Sequence, residues 1–205
     1  MKLYGHPLSG NTHRVQALLE LLGAEYEYVT VDLKTGAHKA PEFLAMNPLG
    51  QVPVLTDGDL VLRDSTAIMT YIAGKFDEAG QWFPKDVTKR AQVQEWLSTA
   101  VNEIQNGPFL VRAIKLFGAP ADLETVTAKT DALFKALFEP HLSKQEWLVG
   151  DSATAADVAC YAYIARVTEG GYDLSAYPAI CKWIERVEAI EGLPNMVRIE
   201  DLMAG

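Results

Sequence analysis

Three short stretches of the chain hold side chains whose type and spacing could do chemistry. Ser9-Gly10-Asn11 puts a hydroxyl and an amide between a short extended segment and the first helical pattern. Hydroxyls at that place cap helices far more often than they catalyse, but one beside a helix N-terminus can also steady a developing anion. Asp64-Ser65 opens a later helical pattern, where free backbone N–H groups receive a carboxylate readily, although such a pair is more often a cap alone. Asn47-Pro48-Leu49-Gly50-Gln51-Val52-Pro53 is unusual because Pro53 stands at the start of an apolar strand, where proline is confined to an edge or a special turn. A cis peptide before Pro53 would account for it; a trans edge proline is the plainer alternative.

Other chemistries are excluded. His6-Pro7-Leu8-Ser9-Gly10 lacks the G-x-S-x-G pattern of a nucleophile elbow. The only cysteines, Cys160 and Cys181, have neither C-x-x-C nor zinc-like spacing, so a disulfide framework, a dithiol centre and a cysteine metal site are not expected. Both sit in apolar helical settings and read as buried thiols without catalytic work. Thr154-Ala155-Ala156-Asp157 reads as a capping box, a structural signal. Lys+Arg 18 against Asp+Glu 27 leaves a net charge of −9, which argues against nucleic acid or an anionic membrane surface as partner. The opening MKLYGHPLSG has no apolar export core and no run of 18 apolar residues occurs, so the expected location is the cytoplasm.

The elements that must position these side chains fall into two regions. With 205 residues, 49% hydrophobic and 22% charged, the chain can build a real core and has the length of two compact domains. Lys2-Leu3-Tyr4 is a strand candidate, with Tyr4 read as a packing residue. Val15, Leu18, Leu19 and Leu22 then mark one face of a helix stopped by Gly23, and residues 26–32 return to strand composition. That order suggests a right-handed βαβ unit. After a polar loop, residues 52–56 and 60–62 flank Asp57-Gly58-Asp59 as an antiparallel hairpin. A helix carrying Ile68, Met69, Ile72 and Phe76 follows Asp64. Beyond about Val87 the pattern is helix after helix, with a kink or break expected at Pro108 and further helices over 123–138, 154–167, 177–190 and 194–202.

Taken together, the motifs give the chain a specific likeness. K-L-Y-G at the first strand, S-x-N-x-x-R from Ser9 to Arg14, His38-Lys39, N-P-x-G-Q-V-P-x-L from Asn47 to Leu55, D-G-D-L then D-S-x-A-I from Asp57 to Ile68, and T-x-x-D from Thr154 to Asp157 occur in this order and spacing. Over nearly its whole length the chain resembles the cytosolic glutathione S-transferases, within them the serine-type, phi-like branch. The resemblance implies a thioredoxin-like α/β domain at 1–76, with order β-α-β-α-β-β-α, and an all-helical bundle domain at 87–205 contributing the electrophile pocket. It also implies a homodimer, for which Met69, Val93 and Trp96 are interface candidates.

What it implies for the site follows glutathione itself. Asp64 and Ser65 would take the γ-glutamyl end, Val52 would pair its backbone with the cysteinyl unit beside Pro53 and Gln51, and His38 and Lys39 would hold the glycyl carboxylate. The family more often has Glu at position 64, so the shorter arm of Asp64 is a departure. Ser9 would donate its hydroxyl hydrogen to the sulfur, with Asn11 assisting or capping. The thiolate would then attack a small hydrophobic electrophile in a detoxification-type conjugation. Leu8, Asn106, Phe109, Leu110, Arg112 and Met203 are candidates to line the electrophile pocket. Glutathione is the co-substrate and no metal is expected. Alternatives on the same site are a glutathione-dependent peroxidase or disulfide reductase; another is a transferase-like binding module without turnover.

Overall fold

The first strand, β1 (Lys2–Gly5), runs parallel to β2 (Glu27–Thr30), and the two are joined by helix α1 (Gly10–Leu21). β3 (Val54–Asp57) lies antiparallel to β1 on its other side, and β4 (Leu60–Leu62) completes the hairpin, giving the order β2-β1-β3-β4. Gly58 turns the hairpin at φ +58°, a left-handed value that glycine adopts without a Cβ penalty. Side chains alternate across a strand, so the paired Tyr4 and Val54 face one way and the paired Leu3 and Leu55 the other. Tyr4 packs with Val31, Phe43 and Val54, the packing role expected of it. α1 and α3 (Ser65–Phe76) pack together, burying Val15, Leu18 and Leu19 from one and Ile68, Met69 and Ile72 from the other. The computed structural model describes residues 1–203, with side chains through Asp201.

The stretch between β2 and β3, a polar loop on pattern alone, holds a 3₁₀ turn (Ala37–Lys39) and helix α2 (Pro41–Met46). Six residues are too few for an apolar period to register; Pro41 at the first turn, pre-set for helical φ, is its main sequence mark. The observed order thus matches the β-α-β-α-β-β-α that the resemblance implies.

The second region is helical. α4 (Val87–Val101) is followed by the single turn α5 (Glu103–Asn106) and by α6 (Pro108–Phe117), so the break at Pro108 is present, with an earlier one at Asn102. α7 (Leu123–Leu133) continues through a wide π turn, Phe134–Phe138, into α8 (Glu139–Leu142). α9 (Ala155–Ala165) is buried along its whole length. Thr154 and Asp157 form the expected capping box, and Asp157 also accepts from the Leu148 amide (3.0 Å) and the Trp183 indole (2.9 Å). α10 (Pro178–Glu188) packs on α8 and α9.

The chain divides into two compact units, Met1–Ala79 with Glu191–Gly205, and Gly80–Ile190. Residues 191–205, expected to close the helical domain, group with the first unit. Of the helix expected over 194–202, only α11 (Ile199–Met203) forms, beginning where Asp201 turns back to the Arg198 amide (3.0 Å). The interface candidates Met69 and Val93 are 0% exposed and Trp96 7%, so they belong to the cores of their own units and are unavailable to a partner. Among the described residues no helix is long and apolar enough to cross a membrane, and no group of His, Cys, Asp or Glu could hold a metal.

Candidate active site

Strand pairing alone brings the three chemical stretches together. Tyr4 faces Val54 and Leu55 faces Leu62, so the end of β1 that leads to Ser9, the start of β3 after Pro53, and the end of β4 that leads to Asp64 share one edge of the sheet.

Ser9 caps α1. Its backbone is extended (φ −87°, ψ 114°), its Oγ accepts from the Thr12 amide at 3.2 Å, and its carbonyl accepts the His13 amide at 2.8 Å. The buried Thr12 accepts from the His6 amide (3.3 Å), which ties the helix start to the end of β1. A side chain at Gly5 would collide with the Thr12 methyl, so glycine is what lets strand and helix approach so closely. Asn11 sits in the first turn, half-buried.

The Val52–Pro53 peptide is cis, as the sequence suggested. Buried Asn47 organises the loop before it: Nδ2 donates to the Gln51 carbonyl (2.7 Å) and Oδ1 accepts from the Leu49 amide (3.1 Å). Gly50 turns there at φ +59°, with the His38 carbonyl 2.7 Å from where a Cβ would stand. Lys39 donates to the carbonyls of Leu49 and Gly50 at 3.1 and 3.3 Å, and the enclosed Nδ1 of His38 has no hydrogen-bond partner. The His38-Lys39 pair is therefore built against the 47–51 loop. Gln51 is exposed and Val52 half-buried against the Phe43 cluster.

Asp64 caps α3. Its Oδ1 accepts from the amides of Thr66 (3.0 Å) and Ala67 (2.9 Å) and from the Thr66 hydroxyl (2.7 Å). Burial pushes this carboxyl up, but the Thr66 hydroxyl and the two amides outweigh it and hold the group below its ordinary range, ionised. Ser65 is buried, and Arg14, a wholly buried residue of α1, reaches its Oγ at 3.4 Å.

Arg14 and Asn47 are site-building residues that sequence reasoning gave no role. Each had a signal: a charge set directly against the apolar face of α1, and a side-chain amide three residues ahead of a glycine in a proline-containing turn.

The electrophile-pocket candidates divide between the two units. Leu8 is buried in the first unit. In the second, Asn106 bonds back to Asn102 (2.9 Å), and Phe109 packs on Tyr163 with ring centroids 4.8 Å apart. Leu110 is half-buried. Arg112 is 0% exposed and paired with Glu169 at 2.5 Å, so it presents no surface to a substrate; it neutralises a core carboxylate instead. Met203 ends α11, and its side chain lies outside the described residues. Cys160 is buried against the Trp96 carbonyl; Cys181 is only half-buried, and burial pushes its thiol up, away from reactivity.

Two capped helix N-termini and a cis-proline edge thus converge in one unit. Such a set can bind an extended, zwitterionic peptide-like ligand and stabilise an anion at Ser9.

Comparison with known proteins identifies the family. The family profile "Glutathione S-transferase, N-terminal domain" matches residues 1–74, and "Glutathione S-transferase, C-terminal domain" matches residues 108–191. The chain is 37% identical to glutathione S-transferase 3 of Zea mays, over 92% of this chain and 89% of that one. It is 32% identical to glutathione S-transferase theta-2 of Mus musculus, over 94% and 82%. Among solved structures, a glutathione S-transferase from Xanthobacter autotrophicus Py2 superimposes with a TM-score of 0.88 at 30% identity, covering 98% of each chain. Family profiles, relatives and fold together show that the chain belongs to the glutathione S-transferase family.

Proposed function

We propose that the enzyme, a glutathione transferase, works through Ser9, whose hydroxyl donates to the glutathione sulfur and holds it as the thiolate that attacks a small hydrophobic electrophile. A free thiol has a pKa of about 8.5, so only a few per cent is thiolate at neutral pH, and lowering that pKa by about 2 units takes ~2.7 kcal/mol of preference for the anion. One observation carries the reading. Ser9 Oγ accepts the Thr12 amide, which leaves its own hydrogen to donate outward at the N-terminus of α1, where the helix dipole also favours negative charge.

The rest of glutathione fits the residues around it. Ionised Asp64 accepts from the γ-glutamyl ammonium, and Ser65, oriented by Arg14 at the start of α3, donates to the neighbouring carboxylate. Val52 pairs its backbone with the cysteinyl unit, with Gln51 beside it. Lys39 has three N–H donors, of which two already hold the loop; the third, with His38, meets the glycyl carboxylate. The 37–39% identity to plant glutathione S-transferases supports our reading of the chain as phi-like, and we infer a homodimer.

Ser9→Ala and Ser9→Gly test the mechanism, glycine being the replacement that costs a helix cap least. Both are expected to raise the pKa of bound glutathione, read by ultraviolet titration of the thiolate, and to lower turnover with an aryl halide about ten-fold or more, or ~1.4 kcal/mol per decade. An unchanged thiolate pKa would leave Ser9 a cap only.

A further inference from the structure

After α10 the chain returns to the first unit, and residues 191–198 run over α1 as a strap. A directed contact joins them. His13 Nε2 lies 2.8 Å from the Pro194 carbonyl across 181 positions of sequence, and since a carbonyl only accepts, Nε2 carries the proton. His13 is 4% exposed, and Met196, two residues beyond Pro194, is 2% exposed.

We propose that His13 is a positioning residue for Ser9, fixing the first turn of α1 against the strap through the Pro194 carbonyl. His13 is the residue whose amide closes that turn onto the Ser9 carbonyl, at 2.8 Å, so holding its side chain holds the backbone that aims the Ser9 hydroxyl. First turns fray most readily, and a site works only if its groups stay within about half an ångström of the productive geometry.

A second observation shows that packing alone does not fix the strap. Beside the contact lies a half-open cleft of about 210 Å³ lined by His6, His13, Gln16, Tyr28, Asn195 and Val197, so packing between α1 and the strap is incomplete there. Where that cleft opens, the His13 hydrogen bond is the directed contact that keeps α1 and the strap in register.

This inference rests on Ser9 as thiolate stabiliser, and the experiment separates the two. The full-length enzyme is made as His13→Leu, His13→Gln and Met196→Asp, with Ser9→Ala as reference. Glutamine can still donate to the Pro194 carbonyl, leucine fills the space without donating, and Met196→Asp dislodges the strap while α1 keeps its sequence. The expected result is a kcat about three- to ten-fold lower in His13→Leu and Met196→Asp, with KM for glutathione little changed and the bound thiolate pKa raised toward that of Ser9→Ala, while His13→Gln keeps most of the wild-type values. An effective Ser9→Ala beside a His13→Leu of unchanged kcat and thiolate pKa overturns the inference. Variants that lose folding together, His13→Gln included, also overturn it, since the strap would then support the whole unit and not Ser9. An inert Ser9→Ala overturns the mechanism on which the inference stands.

Discussion

At Asn47, one side chain fixes the path of the backbone proposed to meet the cysteinyl unit. It accepts from Leu49 and donates to Gln51, and both bonds lie in a buried setting where leaving a group unpaired costs about 1–3 kcal/mol. Asn47→Ala is therefore expected to raise KM for glutathione about ten-fold with a smaller change in kcat, because it disturbs binding backbone and not the Ser9 hydroxyl. Steady-state kinetics at varied glutathione, beside a melting curve, checks this; a fall in kcat at constant KM would contradict it. The sequence made Ser9, Val52-Pro53 and Asp64-Ser65 legible because helix caps and edge prolines are local chemistry. Arg14 was not legible as a site residue, because its partner Ser65 is 51 positions away and only the packing of α1 on α3 brings them together.

Among the elements, the second unit shows how side-chain bonds fasten one helix to the next. Asp131 of α7 accepts from Lys135 one turn on (2.8 Å), from Tyr172, and from Tyr177 (2.8 Å) just ahead of α10. The Lys135 ammonium first, then the two hydroxyls, hold its carboxyl at about 2, below its ordinary 3.8. A depressed carboxyl stabilises the fold at pH values above its unfolded pKa and stops doing so as pH falls through the folded one. Asp131→Asn is expected to lower the melting temperature by a constant amount above about pH 5 and by progressively less between about pH 4 and pH 2. Melting curves across that range decide it, and a difference that persisted at pH 2 would count against it. At this scale the sequence was legible where periodicity runs long or a cap is explicit, as in α1, α3, α9 and the break at Pro108. It was silent on α2, too short to show a period, and on the π turn at Phe134–Phe138, where an added residue changes backbone bonding without changing the apolar pattern.

At the scale of the whole molecule, association is the property to test. The burial of Met69 changes what an association test can use. Met69→Glu, which would have dissociated a dimer had Met69 faced a partner, is expected instead to place an unpaired charge in the α1–α3 core and to lower the melting temperature steeply or prevent folding. Sedimentation of a folded, monomeric Met69→Glu protein would show otherwise. The way the two units share the chain carries its own consequence. The helical unit is one continuous segment, whereas the first unit is assembled from residues on both sides of it. In covalent terms the helical unit is an insertion, and the polypeptide crosses between the units twice, near Ala79 and again near Ile190. A protease that clips either crossing already severs the linear chain into two pieces, and what then keeps the first unit whole is the non-covalent hold of the 191–198 strap on α1.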